Sequence, residues 1–390
     1  MSWPTQKLEA VADFCLGKML DQKKNRGEPL PYLANVNVRW GEFDLADLRE
    51  MRFEQHELDR YGLKYGDIVM CEGGEPGRCA IWKEQCSSMM IQKALHRIRP
   101  HDCLRPEFLY YFFLHKGRTG HLASLFTGST IKHLPREKLA LVEVPVLPHS
   151  TQDQIASVLS AYDDLIENNR RRIQLLEQAA RLLFKEWFVH LRFPGHEHTQ
   201  IIDGVPEGWE KKPLSEIADI TMGQSPKSIY YNQDGNGLPF HQGVTNFGVR
   251  FPSHETYCTV QSRIAEPGDI LFSVRAPVGR INITPDKIVI GRGLAAIRSN
   301  CDQPNYLFYA LKSHFFKEDM IGGGAIFAAI TKKDLYGVEL MQPTDRIATM
   351  FMEHVLPIDL QIANLQQTIE RLAKARDLLL PKLMNGEVPV

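Results

Sequence analysis

Several common routes to function are missing from this chain of 390 residues. It has no uninterrupted run of the roughly eighteen apolar residues that a membrane-spanning helix requires. The opening Met1-Ser2-Trp3-Pro4-Thr5-Gln6-Lys7 has no apolar signal region, so export by that route is not expected and the chain is expected in the cytoplasm. Cysteine is scarce. Cys15, Cys71, Cys79, Cys86, Cys103, Cys258 and Cys301 are odd in number and include no C-x-x-C pair, which argues against a zinc ribbon or a disulfide framework. They read as reduced packing residues. Neither sign of charge is in excess: 46 Lys and Arg oppose 47 Asp and Glu. That excludes a bulk polycation, but not a nucleic-acid binder whose basic face is offset elsewhere.

Catalytic motifs are missing too. Without G-x-x-x-x-G-K-[ST] nothing is expected to cradle ATP phosphates. His56-Glu57 and His196-Glu197 lack the second histidine of H-E-x-x-H, and His196-Glu197-His198, beside Gly195 and Thr199, reads as a solvated loop. There is no G-x-S-x-G elbow. Gly322-Gly323-Gly324 lacks the dinucleotide pattern. The Asn/Asp-Pro-Pro-aromatic signature of amino-methyltransferases is absent. A non-catalytic chain with no metal and no cofactor of its own is expected.

What the sequence does contain is itself, twice. Trp3, Leu8, Ala12, Asp13 and Gly17 align with Trp209, Leu214, Ala218, Asp219 and Gly223. Gly66-Asp67-Ile68 aligns with Gly268-Asp269-Ile270, and Gly77-Arg78 with Gly279-Arg280. Leu95, Ile98 and Arg99 align with Leu294, Ile297 and Arg298; Leu109 and Tyr111 with Leu307 and Tyr309; Lys138-Leu139 with Asp334-Leu335. The spacing stays near 200 residues and drifts in small steps, as loops of unequal length require; this is far too long for a solenoid repeat. Two homologous domains are expected. Each opens with short apolar runs broken by Gly and Pro, a strand-rich α/β segment in which a Gly-Asp turn feeds a strand.

Each domain then runs into a long helix. The first is expected to start near Thr151, with Thr151 and Gln154 as a capping box. Its apolar seam is Ile155, Leu159, Tyr162, Ile166, Asn169, Ile173, Leu176, Ala180, Leu183 and Trp187, in alternating steps of four and three. The second seam is Ile358, Ile362, Leu365, Ile369, Leu372, Leu379 and Leu383, with Ala375 or Arg376 at the weaker step. Pro357 is expected to break or kink the lead-in carrying Ile347 and Phe351. A helix of roughly 35 residues spans about 50 Å, longer than one domain can cover. The two helices are therefore expected to pair as an antiparallel coiled coil under a pseudo-two-fold. The expected division is residues 1–150 as the first strand-rich domain, 151–190 as a central helical spacer, 191–208 as a linker, 209–343 as the second strand-rich domain and 344–390 as a C-terminal helical spacer.

Ordered in this way, the chain resembles the DNA specificity subunits of type I restriction-modification systems. The resemblance rests on Pro206-Glu207-Gly208-Trp209, Ile217-Ala218-Asp219, Gly223-Gln224-Ser225-Pro226 and Pro267-Gly268-Asp269-Ile270-Leu271. To these it adds Gln152-Asp153-Gln154-Ile155-Ala156 and the closing Leu378-Leu379-Leu380-Pro381-Lys382-Leu383-Met384-Asn385-Gly386. The N-terminus departs from it, since no Pro-x-Gly precedes Trp3, and Gly17-Lys18-Met19-Leu20 stands where the second unit has Gly-Gln-Ser-Pro. The resemblance implies two target recognition domains, each reading one half of a bipartite, asymmetric site in double-stranded DNA. It implies a helical spacer that sets the unread gap, two methyltransferase subunits docked on the helices, and restriction-motor subunits beside them. S-adenosylmethionine, ATP and Mg2+ would be used by those partners; no membrane is involved.

Phosphates call for Lys and Arg, and base edges for Arg, Asn and Gln on loops that reach a groove. The candidates are Arg39, Arg78, Lys93, Lys132 and His133 in the first domain. In the second they are Gln224, Lys227, Arg275, Arg280, Arg292, Lys332 and Lys333. The alternative for each is solvated surface charge. Gly128-Ser129-Thr130 and Gly322-Gly323-Gly324 are either backbone approaches to phosphate or plain turns, and Tyr110-Tyr111 and Tyr230-Tyr231 either stack on bases or pack in the core. Two other readings of the whole chain stay open: a two-headed scaffold for protein partners, and a recognition module derived from a fused restriction-methylation enzyme.

Overall fold

The structure, a computed structural model, describes residues 3–21, 25–315 and 329–390. Gly322-Gly323-Gly324 lies outside the described residues. The chain forms two compact units, Met1–Asn168 with Ile369–Val390, and Asn169–Thr368. The division falls inside both long helices, His149–Phe184 and Asp345–Met384, so each helix contributes to both units. Among the described residues no helix is long and apolar enough to cross a membrane.

The duplication is one of structure. In the first unit a four-stranded antiparallel sheet has the order Ala12–Leu16, Leu95–Pro100, Ile68–Cys71, Cys79–Ile81. In the second the order is Ala218–Met222, Leu294–Ser299, Ile270–Ser273, Ile281–Ile283. Each unit packs a Pro-initiated helix into its main apolar core, Pro106–Arg118 in the first and Pro304–Phe315 in the second. Phe108 through Leu114 and Tyr306 through Leu311 are all buried, worth about 1.5–3 kcal/mol for each large apolar side chain. Tyr110 and Tyr111 are thus core residues. A second sheet, of three strands in the first unit and five in the second, contains one parallel pair in each, Tyr32 with Met90 and Phe240 with Val289.

The repeated Gly-Asp turn has a physical cause. Gly66 and Gly268 take φ values of 86° and 90°, which side chains disfavour. The buried carboxylate that follows accepts the main-chain N–H three residues back, Lys64 to Asp67 and Glu266 to Asp269, both at 2.8 Å. An arginine on the adjacent strand then grips it with two nitrogens. Arg99 reaches Asp67 at 2.7 and 2.6 Å, and Arg298 reaches Asp269 at 2.6 and 3.0 Å. Gly-Asp and its distant arginine are one structural element, a turn bolted to a strand.

Both seams face inward. Ile155, Leu159, Ile166, Asn169, Ile173 and Ala180 are buried, and Leu176 and Leu183 half-buried. Ile362, Leu365 and Leu383 are buried, while Ile358, Ile369, Leu372 and Leu379 are half-buried. In the second unit the helices run in opposite directions: Phe184 and Trp187 pack on Phe351, whereas Glu177, earlier on its helix, shares Arg250 with Asp359, later on the other.

Two local expectations fail. The central helix starts at His149, and Thr151 N–H donates to Pro148 O, so Thr151 is inside the first turn and forms no capping box. Gln152 does the fastening instead. Its Oε1 accepts from Arg105 N–H at 2.7 Å, and its Nε2 donates to the carbonyls of Cys103 and Leu147. Pro357 does not break the C-terminal helix, which is continuous from Asp345 to Met384. Proline removes one helical hydrogen bond, and the buried Phe351, Val355 and Ile362 on either side hold the backbone in register.

Polar clusters tie the helices to their units. In the second unit Arg250, fully buried, bonds Glu177 Oε1 at 2.7 Å, Asp359 Oδ1 at 3.0 Å and the Tyr309 hydroxyl at 2.7 Å. Tyr309 donates onward to Asp359. In the first unit the repeat-related Tyr111 donates to Asp163 at 2.8 Å, and Asp163 pairs with Arg376 of the C-terminal helix. The tyrosine and aspartate recur; the arginine comes from a loop in one unit and a helix in the other.

Candidate nucleic-acid interface

The Asp–Arg bolt occupies one end of each four-stranded sheet. At the other end the strand termini and their loops converge, and most of the candidate residues are there. In the first unit Gly17 N–H donates to Leu95 O, Lys18 N–H to Ile91 O, and Lys93 N–H to Lys18 O. A side chain at Gly17 would place its Cβ 2.4 Å from Gln92 O, so only glycine permits this crossing. Glu72 N–H donates to Ala94 O and Leu134 N–H to Glu72 O, which sets Lys93 and His133 on either side of Glu72. Lys93 and Lys132 are exposed, and His133 stands 3.7 Å from the Glu72 carboxylate.

Arg78 and Arg39 differ from these. The Arg78 guanidinium bonds Glu75 at 2.7 Å and Asn35 O at 2.9 Å, so it ties two loops together. Arg39 is exposed and pairs with Asp44 at 3.5 Å. Lys18, unremarked as a binding residue in the sequence, is nearly buried and bonds Glu57 and Arg52 O.

The second unit repeats the frame with other side chains on it. Gly223 N–H donates to Leu294 O and Gln224 N–H to Ile290 O. Val274 N–H donates to Gly293 O, Ile330 N–H to Val274 O, and Arg275 bridges Ala329. Gln224, Arg275 and Arg292 are thereby gathered at one strand end, all exposed. Lys227 is exposed just before the turn Ser228–Tyr230, and Arg280 is exposed on the hairpin that follows Ser273. Lys332 and Lys333 project from the short helix Lys332–Tyr336, capped by Thr331, with Lys332 over the Tyr336 ring. Tyr231 stacks on Phe240 at 4.4 Å, while Tyr230 is exposed. Gln242 and Ser225 also belong to this cluster; Ser225 stands in the Gly223-Gln224-Ser225-Pro226 motif of the sequence, whereas no motif marks Gln242.

Beneath Gln242, His241 is buried with its Nε2 2.8 Å from His254 Nδ1, and His254 Nε2 is 3.2 Å from Asp286. Burial, and then His254, push the His241 pKa down to about 4. In the unfolded chain an imidazole titrates near 6.5, so as pH falls the unfolded state takes up the proton first. The second unit is therefore expected to keep this stability above about pH 6.5 and to lose on the order of 3 kcal/mol of it by pH 4. Urea midpoints at pH 7 and pH 5 measure the loss, and His241→Gln should remove most of it. An unchanged pH slope in that variant would show that His241 is not the group responsible.

Among the described residues no group of three or more His, Cys, Asp or Glu side chains is placed to hold a metal ion. The candidate interface is a surface of loops, with exposed cations and amides at one sheet end.

The family model for the type I restriction modification DNA specificity domain matches this chain twice, over residues 3–178 and 206–372. A Methanocaldococcus jannaschii protein named as the specificity subunit of type I restriction enzyme MjaX is 30% identical, covering 100% of this chain and 94% of that one. The type I restriction enzyme MjaIX specificity subunit of the same organism is 27% identical with the same coverage. The crystal structure of a type I restriction-modification S subunit from M. genitalium shares the fold, with a TM-score of 0.55 at 18% identity over 98% of this chain and 96% of that one. The doubled sheet, the doubled strand-end loop and the doubled family match agree: the chain belongs to the type I restriction modification DNA specificity domain family.

Proposed function

We propose that this chain is the DNA-recognition subunit of a type I restriction-modification complex and that it catalyses nothing itself. Each unit reads one half of a bipartite, asymmetric site in double-stranded DNA through its strand-end loops. The helices set the number of unread base pairs between the halves. They also dock two methyltransferase subunits and the restriction-motor subunits, which use S-adenosylmethionine, ATP and Mg2+. The assembly works in the cytoplasm. Exposed apolar side chains on the helices, among them Leu175, Leu182, Leu356 and Leu360, suit docking partners.

One observation carries this reading. The same backbone frame is built twice, and equivalent positions on it hold different side chains: Gly73 and Arg275, Lys93 and Arg292. A shared scaffold with divergent tips is what two different half-sites require, because phosphate contacts position a protein while base contacts specify sequence.

Binding of the full chain to random-sequence duplex DNA tests it. The logarithm of affinity should fall linearly with the logarithm of salt concentration, by about 0.9 for each phosphate neutralised. Binding that ignores salt, or no binding, would leave the chain a scaffold for proteins.

A further inference from the structure

At the strand end of the second unit three segments are joined by a short chain of hydrogen bonds. The main-chain N–H of Arg292 donates to Ser225 Oγ at 3.2 Å, and the Ser225 hydroxyl donates to Gln242 Oε1 at 2.7 Å. A serine hydroxyl has one proton, and here an N–H already occupies a lone pair. In the structure the serine proton is directed at Gln242 Oε1, and the amide takes this orientation. Oε1 is held by Ser225, and on this exposed residue Nε2 carries the two N–H donors.

The surrounding glycines serve this arrangement. A Cβ at Gly291 would fall 2.7 Å from Gln242 Oε1, and one at Gly293 would fall 2.4 Å from Gln242 O. At Gly243 a Cβ would meet nothing within 4 Å. Gln242 itself is exposed, with Gln224, Arg275 and Arg292 exposed nearby. Folding does not need an oriented amide on an open surface, yet two glycines and a serine hold it there. Preorganised donors of this kind serve recognition, because the cost of ordering them is met before the ligand arrives.

We propose that Gln242 is a specificity-determining residue of the second unit, donating from Nε2 to a hydrogen-bond acceptor on a base edge in the major groove, and that Ser225 is the positioning residue that orients it. This rests on the DNA-recognition reading above. In the major groove G offers N7 and O6, T offers O4 and A offers N7, whereas C offers only the N4 donor. The position read by Gln242 therefore accepts G, T or A and rejects C.

The test is sequencing of the methylated motif in cells carrying the full chain with its methyltransferase subunits. Gln242→Ala should relax one position of one half-site, with about a tenfold loss of discrimination, near the lower range for a base contact. Gln242→Glu replaces donors with acceptors and should turn the preference at that position towards C, whose N4 group donates. Ser225→Ala should relax the same position and Ser225→Thr should preserve it, since only the hydroxyl matters. The other half-site and the melting temperature should not move. Unchanged motifs in Gln242→Ala and Gln242→Glu overturn the inference alone, as does a uniform loss of methylation at every sequence. A wild-type complex that marks no bipartite motif overturns the DNA-recognition reading and this inference with it.

Discussion

Arg250→Ala is expected to destabilise the second unit by about 3–5 kcal/mol, the range for breaking a buried charge pair from one side. Arg250 is fully buried, and its guanidinium lies 4.2 Å from the centre of the Phe308 ring. Its Nε and Nη2 join Glu177 of the central helix, Asp359 of the C-terminal helix and Tyr309 of the domain helix. Burial opposes the charged form, and Glu177, Tyr309 and Asp359 more than restore it, so the net shift keeps Arg250 protonated. Removing the side chain leaves Glu177 with Lys312 at 2.8 Å and Asp359 with Tyr309 and Asn305. Both carboxylates would then stand in low-dielectric surroundings without their main counter-charge. Thermal and urea unfolding measure the effect, read on the transition of the second unit, because a chain of two units need not unfold in one step. Arg250→Lys should fall between wild type and alanine, since it keeps the charge and loses the planar fork. Adding Glu177→Gln and Asp359→Asn to Arg250→Met should recover part of the loss by removing the stranded charges. A midpoint for Arg250→Ala indistinguishable from wild type would mean that the aromatic packing alone holds the helices.

Exchanging the first unit for that of a relative is expected to rewrite one half of the methylated motif completely and leave the other half as it was. Direct readout is local: each good bidentate base contact is worth about 1–3 kcal/mol and depends only on the side chains that reach that base. The loops of the first unit, around Lys93, Lys132 and His133, are hydrogen-bonded to their own sheet, and so are those of the second. Lengthening the helices should alter only the number of unread bases. One base pair moves the far half-site by about 3.4 Å and turns it by about 34–36°, so only certain lengths will be accepted. Methylome sequencing of both chimaeras decides the matter. If exchanging the first unit changes both halves of the motif, the units do not read independently and the two-head model fails.

The sequence by itself determined the duplication, the class of fold and the faces of the long helices. These are legible because they depend on local rules. Gly66-Asp67 and Gly268-Asp269 recur because a left-handed turn closed by its own carboxylate is encoded in adjacent residues. The inward faces of the helices follow from the spacing of residues such as Ile155, Leu159, Ile166 and Ile173, since helical periodicity alone selects a face. Helix ends were less legible. Thr151 has the composition of a cap, but the chain enters the helix at His149, where Pro148 O accepts the first hydrogen bonds. Only the tertiary structure decided which polar residues act together. Arg78 has the look of a phosphate ligand until Glu75 and Asn35 O are seen to occupy it. Arg250 belongs to no motif, yet it reaches partners 73 and 59 residues away in the chain. Gln242 is oriented by Ser225, 17 residues earlier, and Ser225 by Arg292, 67 residues later. Periodicity and turn chemistry act over a few residues, whereas a hydrogen-bond network is made by whichever groups the closed sheet brings within about 3 Å of each other.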